Sequence, residues 1–300
     1  MMSKSLNAYL DSLAHASIVL SRKSLSAFRI CGLGGLALAS ALSLGLAIYL
    51  GLSLWVEAAL VLTAVSTFYL FAMSIKVITG VERFTYYHHQ IVFLLSSVLL
   101  LKLLHQPVLP YMDVSILGVG LLMACGRMGC LMVGCCHGKP SLLGIAYGAE
   151  HAAAGFRHDY VGVRLFPVQV VEAAWVLCVV CVGVALLLRG SAPEGTALSM
   201  YVVAYALGRF VFEFARGDVE RPYLCGFSEA QWTSLLLVCA TLCAELAGLI
   251  VFQRWHAGAL VLLSLLMIVV ALRRRLGKTS GRKLLHSPVN FQKGERELAR

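Results

Sequence analysis

Two arginines and a group of thiols, all set in apolar surroundings, are the residues best suited to chemistry. Residues 126–140 read GRMGCLMVGCCHGKP and carry Arg127, Cys130, Cys135, Cys136, His137 and Lys139 between Gly126, Gly129, Gly134 and Gly138. Ionisable side chains and non-helical backbone at membrane depth are costly and persist where they line a buried cavity. Glycines at this density let the backbone turn sharply and approach a ligand closely. Residues 205–218, YALGRFVFEFARGD, place Tyr205, Arg209 and Glu213 at i, i+4 and i+8, with Arg216 at i+11, on one helical face. An arginine one turn from a carboxylate suits anion binding, or else the neutralisation of two membrane charges. In residues 164–172, RLFPVQVVE, Pro167 suits a helix start, and Gln169 and Glu172 share a face. Residues 85–90, TYYHHQ, offer His88 or His89 as a base titrating near neutrality, or as a headgroup-level histidine without chemistry. In residues 227–235, FSEAQWTSL, Ser228 and Gln231 read as a capping box and Trp232 as an interfacial anchor.

The C-x4-C-C-H run differs from the C-x2-C pairs of zinc sites and from the C-x-x-C of thiol–disulfide enzymes, so neither a metal nor another cofactor is expected. Cys178, Cys181, Cys239 and Cys243 lie in apolar runs, where cysteine behaves as a small hydrophobe.

Positioning these residues requires membrane helices. The chain is 59% hydrophobic and 13% charged, with mean hydropathy +0.82, which excludes a soluble domain of ordinary composition. Its +10 net charge sits largely in the tails and suits anionic lipid headgroups; no basic patch interleaved with aromatics points to nucleic acid. A secretory signal peptide is not expected, because the first apolar run comes late and lacks a clear cleavage site. Spans of about 20 apolar residues read at 28–50, 54–79, 87–104, 112–127, 168–188, 197–215, 230–252 and 257–273. The expected fold is an all-α polytopic membrane bundle of 7–8 transmembrane helices with a re-entrant Gly/Cys-rich bend. Its parts are a basic N-terminal segment (1–27), a seven-span domain (28–252), an extra span (253–277) and a basic, disordered tail (278–300). Residues 139–166 read as one long loop, and no internal repeat supports an inverted-repeat transporter. With eight spans, only Lys102, Arg189 and Arg254 of the 25 Lys and Arg residues lie opposite the termini, so the positive-inside rule places the termini and the bend in the cytoplasm.

Taken in order, these segments resemble the prolipoprotein diacylglyceryl transferase family of bacterial membrane enzymes. The resemblance rests on His88 opening the third span, Arg127 and Gly129 in the R-x-G bend, and Pro167, Gln169 and Glu172 in P-x-Q-x-x-E. It rests also on Tyr205, Gly208, Arg209, Glu213 and Arg216 in Y-x-x-G-R-x-x-x-E-x-x-R, and on Ser228, Gln231 and Ser234 in S-x-x-Q-x-x-S. It covers about residues 28–252. The family's bend reads R-x-G-N-x-x-N-x-E-x-x-G; here Arg127 and Gly138 match, Cys130 stands for the first asparagine and Cys135 for the glutamate, and His89 and Gln90 follow the histidine instead of two glycines.

The resemblance implies transfer of a diacylglyceryl group from phosphatidylglycerol to the thiol of a prolipoprotein lipobox cysteine, without a cofactor, in a multi-pass protein of the bacterial inner membrane. His88 is then the base, Arg127 and Arg209 the phosphate clamp, Glu213 and Glu172 their orienting carboxylates and Tyr205 a donor. The substrate-binding set is Gly129, Cys130, Gly134, Cys135, Gly138, Gln169, Glu172 and Arg216. Two alternatives stand beside it: a phospholipid acyl- or headgroup-modifying enzyme of the same fold, and a non-catalytic lipid-binding or transport protein. The family's site faces outward, opposite to the charge count; either residues 257–273 do not cross or the protein is inverted.

Overall fold

In the computed structural model described here, residues 2–20, 23–80, 86–217 and 223–279 are described. Thr85, Asp218 and residues 280–300, most of the expected disordered tail, lie outside them. Ten α-helices run along these residues: α1 (Met2–Ser12), α2 (Ala27–Tyr49), α3 (Leu54–Thr79), α4 (Tyr86–Leu103), α5 (Val108–Val133), α6 (Ala149–Ala153), α7 (Val168–Arg189), α8 (Thr196–Phe212), α9 (Glu229–Leu246) and α10 (Arg254–Thr279). Each expected span is a helix. Among the described residues α2, α3, α5, α7 and α10 are long and apolar enough to cross a membrane. α4 and α8 are shorter apolar helices, and α9 carries Glu229 and Glu245 at its ends. The chain is a polytopic helical membrane protein. It divides into residues 1–260 and residues 261–300, the second consisting, in its described part, of the remainder of α10.

Four features differ from the expectation. α5 does not break at residue 126 but continues to Val133, so Arg127 and Cys130 are helical. Gly129 fits the close packing of α5 along α2: a Cβ there would stand 3.0 Å from that of Cys31, whereas one on Gly126 would meet nothing within 4 Å. The turn comes at Gly134, whose φ of +87° is strained for any side chain. The seventh apolar helix ends at Leu246, short of residue 252. α8 ends at Phe212 with Glu213 as its C-cap, so Arg216 lies beyond the helix and off the shared face. Finally, the fold is not purely helical: three antiparallel pairs join β1 (Ser17–Leu20) to β2 (Lys23–Ser26), β3 (Pro140–Ala146) to β4 (Arg164–Leu165) and β5 (Tyr223–Leu224) to β6 (Phe227–Ser228).

α5 is the most buried of the five long helices and packs against α2, α7 and α8. Near its start, buried Asp113 accepts the N–H groups of Gly195 (2.6 Å) and Leu198 (2.7 Å), capping the N-terminus of α8 from another helix. This contact sets the depth of the helix that carries Tyr205 and Arg209. The capping box on α9 forms: Gln231 N–H donates to Ser228 Oγ (3.3 Å) and Ser228 N–H to Gln231 Oε1 (3.1 Å).

Residues 139–166 are not an open loop. β3 and β4, α6 and a 3-10 turn at His158–Tyr160 fold into a small cap, and α1 is fastened to it. Asn7 donates to Leu142 O and accepts from Gly144 N–H, both at 3.0 Å. Asp11 takes Arg164 through both carboxylate oxygens (3.0 and 2.9 Å) and the Ala146 N–H (2.9 Å). Burial alone would raise the Asp11 carboxyl; the guanidinium and the amide outweigh it and hold it below its ordinary value. A depressed carboxyl stabilises docking fully above the ordinary aspartate value of about 3.9 and stops doing so as pH falls through the depressed value.

Two predictions follow from these contacts. Asp113→Ala should lower stability in detergent by about 1–3 kcal/mol by orphaning buried amides, read as a drop in Tm, with Asp113→Asn intermediate. Protection of the β3 amides in hydrogen exchange should persist from neutral pH to about 4 and fall below it, while Asp11→Ala should show the loss already at pH 7.

Candidate active site

Glu172 is the point on which the buried polar groups converge. It lies in the second turn of α7, which follows Pro167, and is 1% exposed. Arg127 of α5 meets it through Nε at 3.0 Å, Arg209 of α8 approaches through Nε at 3.9 Å, and the Tyr205 hydroxyl donates to Oε1 at 3.1 Å. Arg209 also pairs with Glu213, one turn on, at 2.8 Å. All five side chains are buried. An uncompensated charge there would be strongly unfavourable, so mutual pairing is what permits the group. Glu172 engages the Nε edge of Arg127; planar guanidinium donors of this kind match phosphate oxygens. Tyr87 of α4 packs its ring 5.5 Å from that of Tyr205, and its hydroxyl bonds Ser234 Oγ of α9 at 2.8 Å. The wall of the site thus draws on α4, α5, α7, α8 and α9.

Backbone pairing ties the three motif segments together. Gly138 N–H donates to Phe166 O (3.0 Å), Lys139 N–H to Ala215 O (3.0 Å) and Gly217 N–H to His137 O (3.0 Å). Gln169 Nε2 donates to Cys135 O at 2.8 Å, fastening the turn after α5 to the first turn of α7. A Cβ on Gly138 would stand 2.4 Å from Phe166 O, so only glycine fits between the two strands of chain. Cys130, on the last turn of α5, and Cys135 and Cys136 beyond Gly134 have all three Sγ atoms within 4.8 Å of one another. The bare spacing of these cysteines gave no reason to expect this.

The structure therefore brings together Arg127, Glu172, Tyr205, Arg209 and Glu213, with Gln169, Cys130, Gly134 and Cys135 on the adjoining turn. It places other candidates differently. Gly129 is spent on the α2 crossing and Gly138 on backbone pairing. Arg216 pairs through its backbone with Gly138, within electrostatic range of Cys136. His88 Nε2 meets Glu229 Oε1 at 2.5 Å at the start of α9, with both side chains partly exposed. His89 is packed between Phe68 and Phe71. Tyr87, beside the two histidines, is the member of that segment that reaches Tyr205, and sequence reasoning passed over it. Helical phase held the signal: Tyr87 and Gln90, three apart, are both buried.

A buried pair of arginines steered by one carboxylate, inside a bundle of apolar helices, is an arrangement suited to an anionic group at membrane depth. Comparison with known proteins makes the class specific. Residues 44–246 match the family model described as prolipoprotein diacylglyceryl transferase, and the chain belongs to that family. It is 35% identical over 135 residues to phosphatidylglycerol–prolipoprotein diacylglyceryl transferase 2 of Clostridium perfringens, covering 44% of this chain and 49% of that protein. It is 30% identical over 144 residues to the phosphatidylglycerol–prolipoprotein diacylglyceryl transferase of Clostridium tetani (48% and 55%) and over 129 residues to that of Dehalococcoides mccartyi (42% and 46%). The matched stretch spans about half the length of these relatives.

Glu172→Ala should destabilise the folded protein by about 3–5 kcal/mol, because it leaves Arg127 buried without its partner. Combining it with Arg127→Ala should cost clearly less than the sum of the two single changes, a coupling read from denaturant or thermal unfolding in detergent.

Proposed function

We propose that this protein moves the diacylglyceryl group of phosphatidylglycerol onto the thiol of a prolipoprotein lipobox cysteine, in the bacterial inner membrane. A thiolate attacks the glyceryl carbon, the carbon–oxygen bond to phosphate breaks, and glycerol phosphate leaves with the bonding electrons. Negative charge gathers on the phosphate as the bond breaks, so preorganised cationic donors at that point lower the barrier. Arg127 and Arg209 supply them. Glu172 and Glu213 hold the guanidinium planes in place, so little reorganisation accompanies the step. Tyr205, held by Glu172, donates to a phosphate or ester oxygen as charge develops. His88, oriented by Glu229, is the base for the acceptor thiol. Lipid enters sideways between helices, and the bend with Gln169, Cys130, Gly134, Cys135 and Arg216 borders the acceptor. The site faces the side on which prolipoproteins emerge.

The observation that carries this reading is the convergence of Arg127 and Arg209, from two helices, on the single carboxylate of Glu172. Arg127 pairs across helices with Glu172 at 3.0 Å, and Arg209 reaches the same carboxylate while pairing with Glu213 one turn on.

Expression in a bacterium depleted of its own transferase tests it. Wild type should restore growth and lipoprotein mass, and Arg127→Ala or Arg209→Ala should abolish both at equal membrane levels, a loss of at least about a hundredfold. No rescue by well-expressed wild type would contradict the prolipoprotein acceptor.

A further inference from the structure

We propose that Cys130, Cys135 and Cys136 form a three-thiolate site for a divalent ion of the zinc type, with its fourth position open to the acceptor thiol. The three sulfurs already lie within 4.8 Å of one another. A tetrahedral zinc with bonds of about 2.3 Å holds its sulfurs about 3.8 Å apart, so rotation about the side-chain bonds closes the cradle. The backbone is arranged for this. Gly134 at φ +87° and Cys136 at φ +56° both adopt left-handed conformations, turning the chain so that the two thiols beyond α5 come back to the one on it. Cys136 has a Cβ and incurs strain in doing so. Gln169 fixes the Cys135 carbonyl at 2.8 Å and Phe166 the Gly138 amide at 3.0 Å, so the turn is held from both sides.

Charge and access agree with a cation bound by thiolates. Three thiolates and one divalent ion carry a net charge of −1, which needs a cation beside it when buried. Arg127 lies within electrostatic range of Cys130 and Cys136, and Arg216 of Cys136. Cys130 is buried, Cys136 half-buried and Cys135 exposed, so the cradle opens on the Cys135 side. His137 is not part of the cluster: the donor atoms that lie within 4.8 Å of one another are the three sulfurs alone, and the His137 ring packs on Tyr160 and Phe156. A three-ligand zinc with an open position has the layout of a catalytic site. A disulfide between two of these thiols would need an external oxidant that nothing here supplies.

The open position deepens the proposed transferase reading and rests on it. A thiol that coordinates zinc loses its proton outright. The acceptor thiol would bind the ion as thiolate, its proton passing to His88, the base of the proposed reaction. Its sulfur then forms the carbon–sulfur bond as the carbon–oxygen bond to phosphate breaks and glycerol phosphate departs with that electron pair. The ion stays divalent throughout. The thiolate so made stands beside Arg127, the residue that takes the phosphate, which is the juxtaposition the displacement requires.

The full chain, purified in detergent, should carry one zinc per molecule. Replacing zinc with Co2+ should give an intense sulfur-to-cobalt charge-transfer band and tetrahedral d–d bands. Cys130→Ser, Cys135→Ser and Cys136→Ser should each lose or sharply weaken the charge-transfer band while circular dichroism stays unchanged. A short lipobox peptide with cysteine should shift the d–d bands, and its serine analogue should not. A chain that binds neither Zn2+ nor Co2+, or a cobalt spectrum indifferent to all three substitutions, overturns the site. A spectrum unmoved by the cysteine peptide overturns the open position. Transfer that continues unchanged after chelation overturns the inference and leaves the proposed function standing. A cobalt site that responds to the peptide in a protein that transfers no lipid does the reverse.

Discussion

Everything at the centre of this protein depends on the buried Glu172 side chain and the partners that meet it. One acidic group at 1% exposure would be expelled or neutralised on its own; with Arg127 at 3.0 Å, Arg209 at 3.9 Å and the Tyr205 hydroxyl at 3.1 Å it is held. Those three partners come from α5 and α8, so the ionic contact demands that α5, α7 and α8 meet at one depth. Asp113, capping α8 from α5, enforces the same register from the other end. Packing and electrostatics therefore specify a single arrangement, and the cost of burying four charges is offset by their mutual pairing.

The second constraint is the path of the chain around this centre. The turn after α5, the entry to α7 and the exit from α8 are tied by backbone hydrogen bonds running from residues 137–139 to residues 166 and 215–217. The three sequence motifs are thus one piece of structure. The cap formed by residues 140–165, with α1 strapped to it through Asp11 and Arg164, lies directly beyond that turn. Membership of the prolipoprotein diacylglyceryl transferase family accounts for the motif order. The three clustered thiols lie at that turn.

What was legible in the sequence had local causes. Apolar runs of about twenty residues marked the helices, Pro167 marked the entry to α7, and Ser228 with Gln231 marked that of α9. The Tyr205–Arg209–Glu213 spacing placed three groups on one helical face. What was not legible depended on contacts distant in sequence. Glycines at 126 and 129 read as a break, yet both lie within α5, where α2 packs against Gly129. Arg216 was phased on a helix that ends at Phe212. Asp11 and Arg164 stand 153 residues apart, and no periodicity announces their pairing. Of the adjacent Tyr87 and His88, the residue type favoured the histidine, while burial turned the tyrosine towards Tyr205.

The central claim is that the arginine pair held by Glu172 grips the phosphate of a lipid whose diacylglyceryl group moves to a thiol. The most direct measurement incubates the purified full chain with phosphatidylglycerol and a lipobox peptide, following peptide mass and glycerol phosphate together. The account predicts a peptide heavier by one diacylglyceryl group, with glycerol phosphate released in equal amount, and neither product from Arg127→Ala. A peptide of unchanged mass, or a heavier one formed equally well by that variant, would contradict it.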